Sequence, residues 1–135
     1  MSDDRAENTR RVGQQAIDHF LSGWSTGNWE PFIAMLSDNF VFQFPGGPFQ
    51  GRHDGPDAKQ KMVQWARHNG EAGDRIFSEP NLTMVDGDWI VFCDRASGTI
   101  DGQSYSGFHA IFMKIDGDKI AEYREYIGDL TDWMP

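Results

Sequence analysis

Val12, Ala16, Ile17, Phe20, Leu21 and Trp24 recur at the three- and four-residue spacing of one helix face, and the pattern stops at Gly27 after the polar pair Ser25-Thr26. This spacing predicts a long amphipathic first helix. Asn28 is placed to cap a short second helix through Leu36, with Pro31 in its first turn, where a missing N–H costs nothing. Its apolar side is Trp29, Phe32, Ile33 and Leu36, and Ser37-Asp38-Asn39 ends it. Phe40, Phe42 and Phe44 alternate with Val41 and Gln43, the period of a strand, and the Pro-Gly-Gly-Pro run from Pro45 to Pro48 turns the chain away. Ala58, Met62, Trp65 and Ala66 predict a third helix from Pro56 to about His68, closed by Asn69-Gly70.

The remainder reads as a meander. Three Asp-Gly pairs, Asp86-Gly87, Asp101-Gly102 and Asp116-Gly117, separate runs rich in aromatic and branched residues, so four strands are expected over about 75–85, 89–100, 103–115 and 119–127. Pro80 cannot donate to a ladder, which makes the first of these an edge or a bulged strand. Helices followed by a meander define an α+β fold with the helices on one sheet face.

Turns decide which side chains share a face. With Asp101-Gly102 as a two-residue turn, Ile100 pairs with Gln103 and Asp94 faces His109. Ile90, Phe92, Ala96, Gly98, Ile100, Tyr105, Gly107, Ile111 and Met113 share that face, which is otherwise apolar or small. The opposite face mixes aromatic and polar groups, including Trp89, Arg95, Phe108 and Phe112, as an interface would. The last hairpin leaves two registers open: a three-residue loop sets Glu125 opposite His109, with Tyr123 and Ile127 on the same face, and a two-residue loop sets Arg124 there.

Composition narrows the partners. At 135 residues there is room for one domain and one core, spanning 1–135 with a flexible N-terminus over about 1–8. A net charge of -9 repels phosphate backbones and anionic lipid, so no nucleic acid and no membrane partner is expected. No apolar run approaches the length of a membrane span. The single cysteine, Cys93, forms no internal disulfide and no metal-ligand spacing occurs, which fits a cytoplasmic protein without metal. Five Trp and ten Phe exceed what a core this small requires, and point to an aromatic-lined pocket or an oligomer interface.

The helix running into Gly27-Asn28, the passage from Leu36-Ser37-Asp38 to Phe44-Pro45, Gln50-Gly51-Arg52, and Asp116-Gly117 before Lys119-Ile120 resemble the nuclear transport factor 2-like superfamily, in its SnoaL-like and ketosteroid-isomerase-like branches. The resemblance covers roughly residues 10–130. It implies a cone: a curved antiparallel sheet covered on one face by three N-terminal helices, with a hydrophobic pocket at the open end. It also implies a homodimer, through the outer sheet face. It favours the register that turns Glu125 inward.

Residue by residue, the resemblance removes the best-known chemistry. The catalytic Asp, oxyanion-hole Tyr and protonated Asp of ketosteroid isomerases fall on Phe44, Phe20 and Ile111. The Asp-Arg-Asp group of limonene epoxide hydrolases falls near Asp94, Ala96 and Gly128. Asp129 lies one residue from the position of the acid/base Asp of SnoaL-like cyclases. What remains is a carboxylate beside an imidazole in an apolar setting, an arrangement that fixes the ring tautomer and moves protons near neutral pH.

The expected catalytic residues are therefore His109 as general acid or base, Asp94 to orient it, and Glu125 or Asp129 as a second acid. Phe20, Trp24, Phe42, Phe44, Trp65, Phe92, Ile111, Met113 and Tyr123 are the expected pocket. The reading is an isomerase, cyclase or dehydratase acting on a small hydrophobic carbonyl or hydroxyl compound with no cofactor. Two alternatives stand beside it: a non-catalytic binder of a hydrophobic metabolite, and a dimerising accessory domain. Each residue also has a plainer role, since Asp–His pairs on strands and aromatic residues at regular spacing are often structural. His53 and His68 are expected at helix ends, and Cys93 on the outer face.

Overall fold

The computed structural model describes residues 4–128. Three helices, α1 (Asp4–Thr26), α2 (Glu30–Ile33) and α3 (Ala58–Ala72), accompany six strands: β1 (Leu36–Phe44), β2 (Gly51–His53), β3 (Arg75–Asp86), β4 (Trp89–Ile100), β5 (Gln103–Asp116) and β6 (Lys119–Gly128). The strands form one sheet in the order β2-β1-β6-β5-β4-β3. The sheet is curved and unclosed. It is antiparallel except between β1 and β6, which run parallel.

The core forms where the apolar stripes of the helices meet the inner sheet face. Val12, Ala16, Ile17 and Phe20 of α1 and Ala58, Met62 and Ala66 of α3 pack with Phe40, Phe42, Ile90, Phe92, Met113 and Tyr123. Helix α1 is formed from Asp4 on, and its first turns are held: the Asn8 side chain donates to the Gly117 carbonyl and the Thr9 hydroxyl to that of Gly87.

Helix α2 is shorter than its sequence pattern predicts. It ends at Ile33, and Leu36 already belongs to β1, paired with Ile120. The parallel neighbour satisfies the backbone from Leu36 onward, so the tertiary partner outweighs local helix spacing. Strand β2 was not foreseen: after the Pro-Gly-Gly-Pro turn the chain returns along β1, setting His53 opposite Phe42. His53 thus stacks on the Phe42 ring at 4.7 Å instead of capping a helix. Helix α3 passes through Asn69-Gly70 and ends at Gly73, whose φ of 81° provides the left-handed cap.

The meander holds, with two different turn chemistries. Asp101 and Gly102 both have positive φ, 52° and 76°, so the expected Asp-Gly turn joins β4 to β5 and Asp94 pairs with His109. In the other two hairpins Asp86 pairs with Trp89 and Asp116 with Lys119, so the central residues are Gly87-Asp88 and Gly117-Asp118. Glycine at the first central position, with φ of 59° and 61°, meets the requirement of the alternative mirror-image turn.

Neither expected register of the last hairpin is therefore the observed one. Continued unchanged, the pairing of Asp116 with Lys119 would turn Arg124 inward. A bulge after Ile120 adds one residue, and Tyr123 pairs with Met113, Glu125 with Ile111 and Ile127 with His109. Glu125 thus lies on the inner face as expected, but diagonal to His109 rather than opposite it. Pro80 sits as anticipated, in an edge strand and at a bulge, with the register shifting between Pro80 and Leu82.

Gly70 makes a close approach that the fold depends on: a Cβ there would stand 2.4 Å from the Gly27 carbonyl oxygen. Replacing Gly70 with Ala is expected to destabilise the protein by about 1–3 kcal/mol in urea unfolding, even though helix propensity alone favours Ala. Gly46→Ala, with nothing within 4 Å of the added carbon, is expected to leave stability within about 0.5 kcal/mol.

Candidate functional site

At the open end between helices and sheet lies a cavity of about 540 Å³, within the range that holds small organic molecules. Phe20, Leu21 and Trp24 of α1, Trp65 and Asn69 of α3, and Phe49 from the loop before β2 form its helix side. Ile76, Ala96, Ile111 and Ile127 supply apolar floor, and Ser78, Asp94, Tyr105, His109 and Glu125 the polar groups.

The Asp94 and His109 side chains are only 3% and 8% exposed. His109 Nδ1 lies 2.7 Å from Asp94 Oδ1, and the Ser78 hydroxyl donates to Asp94 Oδ2. Tyr105, four residues before His109 on the same face of β5, places its hydroxyl 2.5 Å from His109 Nε2, with the two rings stacked at 5.9 Å. A continuous hydrogen-bonded line thus runs Ser78, Asp94, His109, Tyr105. An ionised Asp94 only accepts, so Nδ1 carries a proton, and in the neutral ring Nε2 is left to accept from Tyr105. Beside this line, the Tyr123 hydroxyl donates to Glu125 Oε1 at 2.6 Å.

The surroundings move the protonation equilibria. Burial, the largest single influence on His109, pulls its pKa down, but the Asp94 hydrogen bond and the charges of Glu125 and Asp94 outweigh it and leave the ring above its ordinary 6.5. Burial raises the Glu125 carboxyl, with Asp94 adding to the effect and the Tyr123 hydroxyl and His109 offsetting part of it. Burial and the charges of Glu125 and Asp94 push the Tyr105 phenol up to about 12, so it stays protonated at neutral pH. Tyr123 is raised well above its usual value, by burial first and then by Glu125.

Of the expected pocket residues, Phe20, Trp24, Trp65 and Ile111 line the cavity. Phe42, Phe44, Phe92, Met113 and Tyr123 do not: they are at most 5% exposed and belong to the closed core. The helices press directly on the sheet there, as in the Phe44–Trp65 and Phe20–Tyr123 ring contacts at 4.8 and 5.4 Å. Asp94, His109 and Glu125 come together as expected, and Asp129 lies outside the described residues. His68, expected at a helix end, lies within α3 on the cavity rim.

Tyr105 is the functional candidate that sequence reasoning passed over. Its signal was present: on one strand, residues four apart share a face, and a Tyr at that offset from a His can reach it. Among the described residues no three His, Cys, Asp or Glu side chains gather into a group that could hold a metal ion. Among them also, no helix is long and apolar enough to cross a membrane.

A curved sheet roofed by helices, with one aromatic-walled cavity and an inward Asp–His–Tyr line, defines a small α+β pocket protein. The SnoaL-like domain family matches residues 17–123 of the chain, which therefore belongs to that family, within the nuclear transport factor 2-like superfamily. An NTF2-like protein from Anabaena variabilis is 30% identical, with 96% of this chain and 95% of that one covered and a TM-score of 0.83. A protein with a cystatin-like fold from Xanthomonas campestris is 21% identical, covering 92% and 93%, with a TM-score of 0.70. An LEH-like epoxide hydrolase from M. tuberculosis is 17% identical, covering 90% and 85%, with a TM-score of 0.65. Comparison with curated protein sequences finds no significant match.

The raised pKa of His109 has a stability consequence of definite sign. Because the folded-state value lies above the unfolded one, the ring's contribution is complete below about pH 6.5 and fades as pH rises through the raised value. Urea unfolding from pH 5 to 9 is expected to show wild type losing stability relative to His109→Phe across that window, about 1.4 kcal/mol for each unit of separation. Asp94→Asn should remove most of that pH dependence.

Proposed function

We propose that this protein is a cofactor-independent acid/base enzyme, an isomerase, cyclase or dehydratase, acting on a small uncharged hydrophobic carbonyl or hydroxyl compound. The observation that carries this reading is the hydrogen-bonded line Asp94–His109–Tyr105 at the wall of an aromatic cavity, with the Glu125 carboxyl beside it. Tyr105 is the group that meets substrate oxygen. With the His109 ring in its charged form, held by Asp94, Nε2–H donates to the Tyr105 oxygen and frees the Tyr105 O–H to donate to a carbonyl as negative charge develops there; the imidazolium then gives its Nε2 proton to the phenolate and returns to the neutral Nδ1–H ring. Glu125 takes the proton from the adjacent carbon and returns it, either to another carbon in an isomerisation or to a departing hydroxyl in a dehydration. A carboxyl raised by burial suits that exchange near neutral pH.

The SnoaL-like fold and the similarity to an epoxide hydrolase are consistent with small-molecule chemistry, although fold by itself does not select an activity. One observation favours a second reading, a non-catalytic binder: Nε2 of His109 is occupied by Tyr105, so the line could simply anchor a ligand oxygen. Chemistry on the bound compound separates the two.

The outer sheet face exposes Phe77, Leu82, Met84, Phe108 and Tyr126, and Arg95 and Arg124 lie over the Phe108 and Trp89 rings. This supports the proposal that a second copy covers it, and Phe108→Asp is expected to shift the protein to monomer in sedimentation.

For the catalytic proposal, neutral ketones and hydroxyketones would be screened for turnover. On a substrate so found, His109→Ala, Tyr105→Phe and Glu125→Gln are each expected to lower kcat by about 10²–10⁴-fold, while Cys93→Ser leaves it unchanged. Full turnover by His109→Ala, or recovery of every bound compound unaltered, would contradict it.

A further inference from the structure

The carboxyls of Asp74, Asp94, Asp101 and Glu125 line the cavity, and among the described residues no Lys or Arg does. Proton transfer accounts for Asp94 and Glu125, and Asp101 is exposed to water. Asp74 has neither role: it is 5% exposed and stands apart from the hydrogen-bonded line.

Its position is fixed from two sides. Helix α3 ends in the left-handed Gly73, and the Asp74 N–H, donating to the Asn69 carbonyl at 3.2 Å, completes the cap. The carboxylate then reaches the β4–β5 turn, where Oδ1 accepts from the Asp101 N–H at 3.0 Å. Arg75, next along the chain, gives its guanidinium to the Asp74 backbone carbonyl at 2.8 Å and not to the carboxylate.

That leaves Oδ2. A carboxylate has room for about four hydrogen bonds, and its removal from water is costly unless several are made. Asp74 makes one with its carboxylate among the described residues. The unpartnered side-chain atoms that are sealed from solvent there are Trp29 Nε1 and Asn69 Nδ2. Asp74 Oδ2 has no partner either, yet it is not sealed, and the space that reaches Asp74 is the cavity. Tying the turn needs a single acceptor, which an asparagine would supply without burying a charge. A second carboxylate oxygen, held at the cavity wall, is an acceptor prepared for a guest.

Sheet geometry gives the span. Ile76, Gly98 and Tyr105 form one row across β3, β4 and β5. Asp74 precedes Ile76 by two residues, so its backbone stands roughly 12 Å from that of Tyr105 by strand rise and spacing. The same cavity wall carries the apolar side chains of Ile76, Ile100, Trp24 and Trp65.

We propose that Asp74 is a second ligand anchor, one that accepts, and that the natural ligand is an uncharged hydroxyketone. Its carbonyl meets Tyr105, and a hydroxyl at its far end donates to Asp74 Oδ2. The inference rests on the reading of this cavity as the site of a neutral carbonyl compound, and adds the contact that selects among such compounds. A carboxylate or phosphate at that end is repelled by Asp74 and Asp101, and an ether oxygen there meets another acceptor. Asp74 binds and orients; it takes no part in proton transfer.

The probes are a hydroxydecalone, with ketone and hydroxyl at opposite ends of two fused rings, and its methyl ether, which keeps the oxygen and loses the donor. Calorimetric titration of wild type is expected to show the alcohol bound at least about tenfold tighter, as a hydrogen bond to a carboxylate warrants. Asp74→Asn keeps an oxygen for the Asp101 N–H and turns an amide N–H to the cavity, from which either probe can accept, so the preference should fall to within about twofold. Tyr105→Phe should weaken both probes alike and leave the preference intact. If wild type binds the two equally, or Asp74→Asn retains the preference, the second anchor is wrong while the cavity remains a ligand site. Loss of the preference in Tyr105→Phe would equally overturn it, by placing the hydroxyl at the His109 end, and this arm decides even if Asp74→Asn does not fold. If wild type binds neither probe, the ligand-site reading itself fails and this inference falls with it.

Discussion

Positive φ at Asp101 and Gly102 is the constraint on which the site depends. Two residues with φ above zero make a turn whose twist matches that of the strands it joins, so the β4–β5 hairpin closes in one register only. A slip by one residue would carry the whole polar line to the outer face. In the observed register Asp94 meets His109, and Tyr105, on the same face, folds its ring over the imidazole. The bulge after Ile120 does the same for β6: one extra residue exchanges Arg124 for Glu125 on the inner face.

The polar line also answers an energetic problem. A carboxylate buried as deeply as Asp94 is tolerable only when its oxygens are bonded, and Ser78 and His109 supply those bonds from neighbouring strands. Removing one partner of such a pair costs about 3–5 kcal/mol because the other is left charged and unpaired. Structure and chemistry therefore use the same bonds: the network that makes burial of Asp94 affordable also holds His109 in one tautomer and raises its basicity. Glu125 is held by Tyr123 on one oxygen, and burial, with the charge of Asp94 adding to it, raises its carboxyl despite that bond. Two titratable groups in different environments a short distance apart are what acid/base exchange requires.

Much of this was legible in the sequence where local chemistry decides the outcome. Helix α1 follows from the spacing of Val12 through Trp24, and the Asp94–His109 pair from one Asp-Gly turn. Where two local readings compete, tertiary context chose. Asp86-Gly87-Asp88 and Asp116-Gly117-Asp118 contain an Asp-Gly and a Gly-Asp pair alike, and the fold uses the second, which displaced the last hairpin from both anticipated registers. Leu36 reads as the end of a helix until Ile120 lies beside it. Strand β2 has no pattern of its own in three residues and exists because β1 offers an edge. Phe42, Phe44, Phe92, Met113 and Tyr123 share a face with the site, but the helices close over them, and sequence spacing does not tell a covered position from an open one. Asn69 reads as a helix stop, yet the helix runs past it to Ala72 and buries it.

The account turns on the proton at His109: Nδ1–H held by Asp94 and Nε2 accepting from Tyr105. Ring-nitrogen chemical shifts of His109, measured by NMR above its titration, read this directly. The account predicts the Nδ1–H tautomer in wild type, with the Nε2 resonance moving when Tyr105 is replaced by Phe. An Nε2–H tautomer, or an Nε2 resonance indifferent to Tyr105, would contradict it.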